Sequence, residues 1–294
     1  MKLSEALKEF IKYLKEKDRS KSTITAYSKD ISQMGKYFSK EVNIDNVNQI
    51  ETKDLNKYVE AMKSDKKMDY TLKTVSRKIN SMKTFFKYLF SHDLTDKDPA
   101  KSVQHPKYEI APPRVLNKME YMALRDYARS NTRLYTIVEL LLQTGIRIGE
   151  LARLAIDDLN LESNPPNIQI RAYGNNPKRK VELTLPAENA VKKYLKIRPQ
   201  PKEGTNSLFV TKNGNSLLVR NMRTSITRAL ERVGISNATV NDIRNTFIVY
   251  QLKNGMPIKT LGETVGHKRL TSTKRYIQLI NSKPKRKIKK MKQL

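Results

Sequence analysis

Apolar residues recur at intervals of three and four through the first third of the chain, in four separate stretches. These stretches cover residues 3–14, 24–38, 55–62 and 72–89. This spacing places the apolar side chains on one face of an α-helix, and such faces are stable when they pack against one another. The sequence therefore predicts a four-helix unit. Hydroxyl residues suited to helix N-caps stand at the predicted helix starts: Ser22 or Thr23, Thr52 and Thr71.

Prolines end this periodicity before the middle of the chain. Pro106, Pro112 and Pro113 cannot donate a backbone hydrogen bond, so they forbid a continuous helix. Asn117 and Glu120 then have the spacing of a capping box, which predicts the start of a new helix. We expect four segments: a helical domain at residues 1–105, a linker at 106–115, a second domain at 116–282 and a basic tail at 283–294.

The second domain mixes helical and strand periodicity. An apolar helical stretch at 134–142 is followed by Gly145, and two alternating stretches at 168–173 and 180–185 flank a polar turn, which predicts a β-hairpin. Helical patterns follow at four further places: 187–197, 219–233, 241–252 and 271–280. The predicted fold class is mainly α with a small β component, in which a helical domain precedes an α+β domain.

The net charge narrows the choice of partner. The chain of 294 residues carries a formal charge of +29. A charge of this size favours a polyanion, because cationic side chains that neutralise phosphates release condensed counterions. A soluble protein with a lysine-rich surface is the alternative.

Several other classes of site are disfavoured by composition. The chain has no cysteine, so it cannot form a disulfide or a thiolate metal site. His92, His105 and His267 lie too far apart for a metal-ligand motif, and we expect no cofactor. No apolar run reaches the roughly 18 residues of a membrane span, and the amino terminus has no signal-peptide core. We therefore expect no membrane partner and a cytoplasmic, nucleoid-associated protein.

Four scattered residues carry the chemistry. Arg147 lies in Thr-Gly-Ile-Arg-Ile-Gly-Glu-Leu, Arg244 ends Asn-Asp-Ile-Arg, His267 follows a glycine, and Tyr276 lies in Thr-Lys-Arg-Tyr-Ile. Taken singly, such arginines usually cap helices or pair with acids, and a helical tyrosine usually fills a core. Their order and spacing together resemble the tyrosine recombinase family, which includes phage integrases and Xer proteins.

The resemblance implies a reaction and a role in it for each of these residues. Tyr276 is then the nucleophile that forms a 3′-phosphotyrosyl intermediate, and Arg147 and Arg244 hold the non-bridging oxygens, to which a planar guanidinium is suited. His267 bonds the phosphate or accepts the phenol proton, near neutral pH where imidazole titrates. Glu150 is expected to orient or balance the site. The intermediate retains the bond energy, so no metal or ATP is needed.

Two features depart from the family pattern. Its general acid is a lysine on the hairpin, and here Lys178 and Lys180 are both available, with Arg179 between them. Both lysines share a face if both are in the strand, and Lys178 is favoured by a small margin. Asn241 stands where the family has histidine or lysine, and an amide cannot transfer a proton. A catalytically weakened accessory or excision factor is therefore the alternative function.

The resemblance also implies DNA contacts and an assembly. The four-helix unit resembles the family's core-binding domain, with a hydroxyl-rich start to its second helix suited to phosphates. The predicted DNA-binding residues are Lys21, Ser22, Thr23, Thr25, Lys73, Arg77 and Lys78. A solvated lysine face is the alternative for this surface. We expect a homotetramer on a double-stranded recombination site that passes through a Holliday junction in integration, excision or resolution. A type IB topoisomerase shares the chemistry, but the short helical first unit favours a recombinase.

Overall fold

The computed structural model describes residues 1–64, 70–174 and 176–280. The chain divides into two compact units, Met1–Ile110 and Ala111–Leu294. The predicted basic tail at 283–294 lies outside the described residues. The predicted fold class is confirmed, because helices dominate both units and the described strands form one small sheet.

Four long helices build the first unit. They are α1 (Leu3–Glu16), α2 (Lys21–Tyr37), α3 (Thr52–Ser64) and α4 (Leu72–Ser91). A short π-helical turn at Phe38–Val42 and a 3-10 turn at Val47–Gln49 join α2 to α3. Phe10 of α1 and Phe85 of α4 are fully buried, with their ring centroids 5.4 Å apart in an edge-to-face contact. Aromatic pairs of this geometry stabilise a core beyond the area they bury.

The N-caps of this unit differ in part from those predicted. Thr71 caps α4 as expected, accepting a hydrogen bond from Thr74 N at 3.3 Å. The cap of α2 is Ser20, not Ser22 or Thr23, and its Oγ accepts from Thr23 N at 3.2 Å. Thr52 lies inside α3 as its first residue, and its hydroxyl donates to Pro99 O. Ser20, Ser22 and Thr23 are all suited to an N-cap, and the sequence alone does not distinguish between them.

The second unit surrounds one buried helix. Its helices are α5 (Lys118–Ala128), α6 (Thr132–Thr144), α7 (Ile148–Leu151), α8 (Leu185–Ile197), α9 (Val219–Arg232), α10 (Val240–Lys253), α11 (Ile258–Val265) and α12 (Leu270–Lys274). All residues of α6 from Thr136 to Thr144 are buried. Helices α5, α8, α9 and α10 pack around α6. The predicted Asn117–Glu120 capping box is present at α5, with Glu120 N donating to Asn117 Oδ1 at 2.9 Å.

A three-stranded antiparallel sheet lies between α7 and α8 in sequence. The strands are β1 (Leu159–Asn160), β2 (Asn167–Ile170) and β3 (Arg179–Glu182), in the order β1-β2-β3. Ile170 pairs with Arg179 and Gln169 with Lys180. The predicted hairpin exists, but both strands are shorter than expected, and β3 begins at Arg179. Pro186 lies in the first turn of α8, so the chain turns helical where the second strand was expected to continue.

The segment around the predicted nucleophile is not one helix. The expected helix at 271–280 is divided into α12 and a 3-10 turn at Ile277–Leu279, with Tyr276 between them. Across the described residues, no helix is both long and apolar enough to cross a membrane.

Candidate active site

Arg147 lies in the turn that follows α6. Gly145 ends that helix with a φ of 59°, and a Cβ there would lie 2.2 Å from Phe247 Cδ1, so only glycine fits. Arg147 is the N-cap residue of α7. Its backbone N–H donates to Glu150 Oε2 and its Nη1 donates to Glu150 Oε1, both at 2.9 Å. This capping arrangement fixes the guanidinium at the helix start, with 34% of the side chain exposed.

Arg244 approaches the same turn from α10. Its Nη1 donates to the carbonyl oxygen of Gly145, and its Nη2 donates to that of Val265 at 2.8 Å. Burial, and next the charge of Arg147, lowers the pKa of Arg244 to about 9. The guanidinium therefore remains protonated at neutral pH, in an interior where charges interact more strongly than in water.

The turn at Gly266 holds the two arginines together. Arg147 Nη2 donates to Gly266 O at 2.7 Å, next to the Val265 carbonyl that Arg244 holds. Gly266 ends α11 with a φ of 72°, and a Cβ there would lie 2.8 Å from Arg179 Nη1. A side chain at this position would both strain the backbone and displace a guanidinium.

His267 follows this turn and is neutral. Its Nδ1 lies 2.8 Å from Thr273 Oγ1, and its backbone N–H donates to Gly262 O. Burial, and then the charges of Arg244, Arg147 and Arg179, lowers its pKa to about 4. The expectation that His267 titrates near neutral pH is wrong for this structure, because burial, and after it the nearby guanidinium groups, disfavour a positive charge on the imidazole.

Tyr276 is withdrawn from solvent. The residue is 6% exposed and packs in an apolar cluster with Phe247, Leu261 and Val265. Its ring lies nearly parallel to that of His267, with the centroids 6.3 Å apart. Burial raises the pKa of the phenol, although Arg275 and Arg244 oppose the increase. The hydroxyl is therefore protonated at neutral pH.

Asn245 is the partner of that hydroxyl, and it was not predicted. Tyr276 Oη donates to Asn245 Oδ1 at 2.8 Å. The amide nitrogen of Asn245 donates to Arg114 O at 3.0 Å and to Asp242 Oδ1 at 3.2 Å. The only sequence signal was a polar residue directly after Arg244 on a largely apolar helix, and that signal does not identify its partners.

Arg179 is the second residue that sequence reasoning missed. Its Nη1 and Nη2 donate to Glu150 Oε1 and Oε2 at 3.0 and 2.7 Å, and its Nε donates to Thr264 O at 2.8 Å. Along β3, Arg179 and Val181 point inward and Lys180 is exposed. Alternation with the buried Val181 was the available signal, but the strand was expected to begin at Lys180.

The structure does not place the remaining predicted residues in this cluster. Lys178 is exposed directly before β3 and Lys180 is exposed on the strand, so the condition for a shared strand face, that both lysines lie in the strand, is not met. Asn241 is exposed in the first turn of α10. Among the described residues, no hydrogen bond or ion pair joins these three to the arginines, His267 or Tyr276. The described residues also contain no group of three or more His, Cys, Asp or Glu side chains placed to hold a metal ion.

Comparison with known families decides the class of protein. Residues 114–283 match the phage integrase family, and residues 7–93 match the N-terminal SAM-like domain of phage integrases. The chain belongs to the phage integrase family. Site-specific DNA recombination by a tyrosine recombinase is therefore its activity, and the alternative of a weakened accessory factor is not favoured.

Similar proteins span nearly the whole recombinase. The tyrosine recombinase XerC of Listeria innocua is 28% identical over 280 residues, which cover 92% of this chain and 91% of the relative. That of Leptospira interrogans is 28% identical over 292 residues, with 96% and 91% covered. The solved XerA recombinase is 26% identical with a TM-score of 0.53, and 93% of each chain is covered. The Tn1549 transposon integrase bound to a circular intermediate DNA has a TM-score of 0.78 at 20% identity, with 94% of each covered, which shows the fold.

The hydroxyl-rich start of α2 in the recombinase is open to solvent. Lys21, Ser22 and Thr25 are exposed, and Thr23 is half-buried. The Ser20 hydroxyl contacts those of Ser22 and Thr23 at 3.0 and 2.8 Å. The hydroxyl and ammonium groups of this turn are thus accessible to a phosphate.

The predicted DNA contacts on α4 need one correction. Lys73 and Arg77 are exposed, but Lys78 is 6% exposed. Lys78 Nζ donates to Asp30 Oδ1 at 3.0 Å and to Gln33 Oε1 at 2.5 Å, inside the helical unit. Lys78 therefore has a structural role, because its ammonium group satisfies a buried carboxylate. Arg77 also pairs with Asp30, while half of its side chain remains exposed.

Proposed function

We propose that Tyr276 attacks the scissile phosphate of a specific duplex site while Arg147 and Arg244 hold its non-bridging oxygens. The observation that carries this proposal is the convergence of the two guanidinium groups on the Val265–Gly266 turn, directly before His267. Donors fixed in place before the reaction stabilise the charge that develops on phosphorus without reorganisation during the step.

The proposed step balances without a cofactor. The phenol oxygen of Tyr276 forms a bond to phosphorus, and the bond from phosphorus to the 5′ oxygen breaks. The phenol proton passes to a base, and the leaving 5′ oxygen takes up a proton. Rejoining reverses these transfers when a 5′ hydroxyl attacks the phosphotyrosyl ester, so neither a metal nor ATP is consumed.

His267 either bonds the phosphate or acts as the base in this proposal. An imidazole with a pKa of about 4 is unprotonated at neutral pH, so its ring can accept the phenol proton or bond the phosphate. The imidazolium formed would lie beside three guanidinium groups, which favours rapid loss of that proton. Asn241 can add a hydrogen bond to the phosphate but no proton transfer.

The general acid is assigned to the turn before β3. Lys178 is exposed, lies outside the paired strand residues and directly precedes Arg179, which bonds to Glu150, so it is the first candidate. Lys180 is paired through its backbone with Gln169 and is the second candidate.

The nucleophile must turn before it reacts. In this structure the Tyr276 hydroxyl is bonded to Asn245 and lies in an apolar cluster. A duplex phosphate cannot enter that cluster, so attack requires the phenol to leave Asn245. Tyr276 lies between α12 and the following 3-10 turn, and we place the movement of the phenol at this break.

The partner in this proposal is duplex DNA bound by four copies of the chain. The Tn1549 integrase, λ integrase and XerH structures are named as complexes with circular intermediate DNA, a COC′ core site and a difH substrate. We assign a homotetramer that passes through a Holliday junction, and a mobile element as the source. Lys21, Ser22, Thr23, Thr25, Lys73 and Arg77 are the proposed contacts of the first unit.

Covalent capture tests this function and finds the site. The full chain is incubated with sheared genomic DNA of the organism that encodes it, the reaction is denatured, and DNA attached to protein is sequenced. We expect recurrent fragments that end at one position with a 3′ attachment. The position of these ends in the genome distinguishes integration, excision and dimer resolution. Fragments with random ends, or none above the level of Tyr276→Phe, would refute the proposal.

A further inference from the structure

The Glu150 carboxylate is shared unequally between two arginines. Arg179 makes two parallel hydrogen bonds to it, one to each oxygen, at 3.0 and 2.7 Å. Arg147 uses one guanidinium nitrogen, at 2.9 Å, although it lies on the same helical turn as Glu150. The forked geometry that guanidinium groups prefer on a carboxylate is therefore taken by Arg179.

The side chain of Arg179 is held in this place on every side. It is 9% exposed, and Glu150 is 5% exposed. The Nε group donates to Thr264 O on α11, and the backbone carbonyl of Arg179 accepts from Gln169 Nε2 at 3.1 Å. A buried residue with its fork on Glu150 is not placed to contact a duplex itself, so any effect on the reaction passes through a neighbour.

Arg147 is the neighbour through which Arg179 affects the reaction. It keeps 34% of its side chain exposed and donates through Nη2 to Gly266 O. The Arg147 backbone N–H also donates to Glu150 Oε2, so without Arg179 the charge of the carboxylate would be balanced by the Arg147 guanidinium alone. Burial alone would raise the pKa of Glu150, but the hydrogen bond of Arg179 and those of Arg147 lower it to about 2. The buried carboxylate is therefore charged at neutral pH, and it requires hydrogen-bond donors.

We propose that Arg179 is a positioning residue of the recombination reaction: its forked pair with Glu150 leaves the Arg147 guanidinium open toward the scissile phosphate. This inference rests on the proposed function. It assigns to the hairpin a role in ordering the arginine that binds phosphate, separate from proton donation by Lys178.

The test compares two forms of the captured DNA. One nicked duplex carries the normal scissile phosphate. The other carries a methylphosphonate, in which a methyl group replaces one non-bridging oxygen and removes the negative charge. An arginine that works by binding that charge matters much less on the neutral linkage. Single-turnover cleavage by the full chain is measured for the wild type, Arg179→Met and Arg147→Ala.

We expect Arg179→Met to cleave the normal duplex roughly 10- to 100-fold more slowly, as displaced catalytic groups do. On the methylphosphonate duplex, the cleavage rate of Arg179→Met should lie closer to that of the wild type, and the rate of Arg147→Ala should change in the same way. The affinity of Arg179→Met for DNA should change little. Lys192→Met is the matched control, because it removes an exposed cation that pairs with the half-buried Glu188 at 2.8 Å on α8. This control should cleave at the wild-type rate.

A second variant distinguishes a loss of positioning from a loss of folding in Arg179→Met. Arg179→Met leaves the buried Glu150 with fewer partners, which can destabilise the protein. The double variant Glu150→Gln, Arg179→Met lacks the charge that would close on Arg147, so it should cleave the normal duplex faster than Arg179→Met. Melting temperatures are compared for all variants.

The outcomes separate this inference from the proposed function. An equal Arg179→Met defect on both duplexes, wild-type cleavage by Arg179→Met, or a double variant as slow as the single one would overturn the positioning role. A wild-type chain that forms no adduct with the normal duplex would instead refute the proposed function.

Discussion

The hydroxyl of Tyr276 donates a hydrogen bond to Oδ1 of Asn245 across 2.8 Å, so the proposed nucleophile is bound to a side chain of α10. The same amide holds the Arg114 carbonyl and the Asp242 carboxylate. In the proposed reaction the phenol must leave this contact, which links the reactivity of Tyr276 to one amide side chain.

Asn245→Ala should release the phenol and speed adduct formation on the captured nicked duplex. A buried hydrogen bond contributes about 1 kcal/mol, so we expect an increase of roughly fivefold in the single-turnover rate. Asn254→Ala is the control, because the described hydrogen bond of the Asn254 side-chain amide is to Tyr250 O, at the far end of α10. A slower Asn245→Ala enzyme with an unchanged melting temperature would mean that Asn245 guides the phenol to the phosphate and does not store it.

Arg147→Ala and Arg244→Ala should each slow cleavage by about 100-fold or more, the scale expected when one fixed charge donor is lost. DNA binding should change much less, because many other phosphates are held by the remaining cations. Cleavage rates at saturating protein and dissociation constants are measured on the same duplex. Equal losses in rate and affinity would show that these arginines are ordinary backbone contacts.

A 5′-bridging sulfur in the duplex separates the two hairpin lysines. Sulfur is a far better leaving group than oxygen, so it does not need a proton from the general acid. We expect Lys178→Ala to be slow on normal DNA and restored on the sulfur-bridged duplex, because Lys178 is exposed in the turn beside Arg179. Lys180→Ala should be little affected on either. Rescue of Lys180→Ala would transfer the role to Lys180.

The pH dependence of stability tests the environment of His267. Its pKa is about 4 in the folded protein against 6.5 for an ordinary histidine, so the unfolded chain binds the additional proton between these values. His267 therefore lowers stability as pH falls from 6.5 towards 4 and has no such effect above 6.5. The melting temperature of His267→Gln should decrease less between pH 6.5 and pH 4 than that of the wild type. An equal loss in both proteins would contradict the buried, neutral imidazole.

The sequence predicted the family residues better than their contacts. Arg147, Arg244, His267 and Tyr276 were predicted because their order along the chain is a strong pattern. The partners of these groups are remote in sequence, as Asn245 is from Tyr276, and local spacing contains no information about such pairs. Family roles could be carried over by position, whereas hydrogen bonds required the folded chain.

The other differences concern side-chain direction and a break in a predicted helix. Beginning β3 at Lys180 hid the inward direction of Arg179, because side chains alternate along a strand. Lys78 was predicted to bind DNA on the same polar face as Arg77, but adjacent helical positions differ by about 100° and Lys78 turns inward to Asp30. The helix across Tyr276 was expected from periodicity, and the chain breaks there to pack the phenol in its cluster.

The attachment residue is the most direct measurement of the central claim. The adduct between the full chain and the captured duplex is digested with protease and nuclease, and the peptide carrying the nucleotide is sequenced by mass spectrometry. The account predicts a 3′-nucleotide on Tyr276 and no adduct from Tyr276→Phe, which should still bind the duplex. A nucleotide on another residue, or an undiminished adduct from Tyr276→Phe, would contradict it.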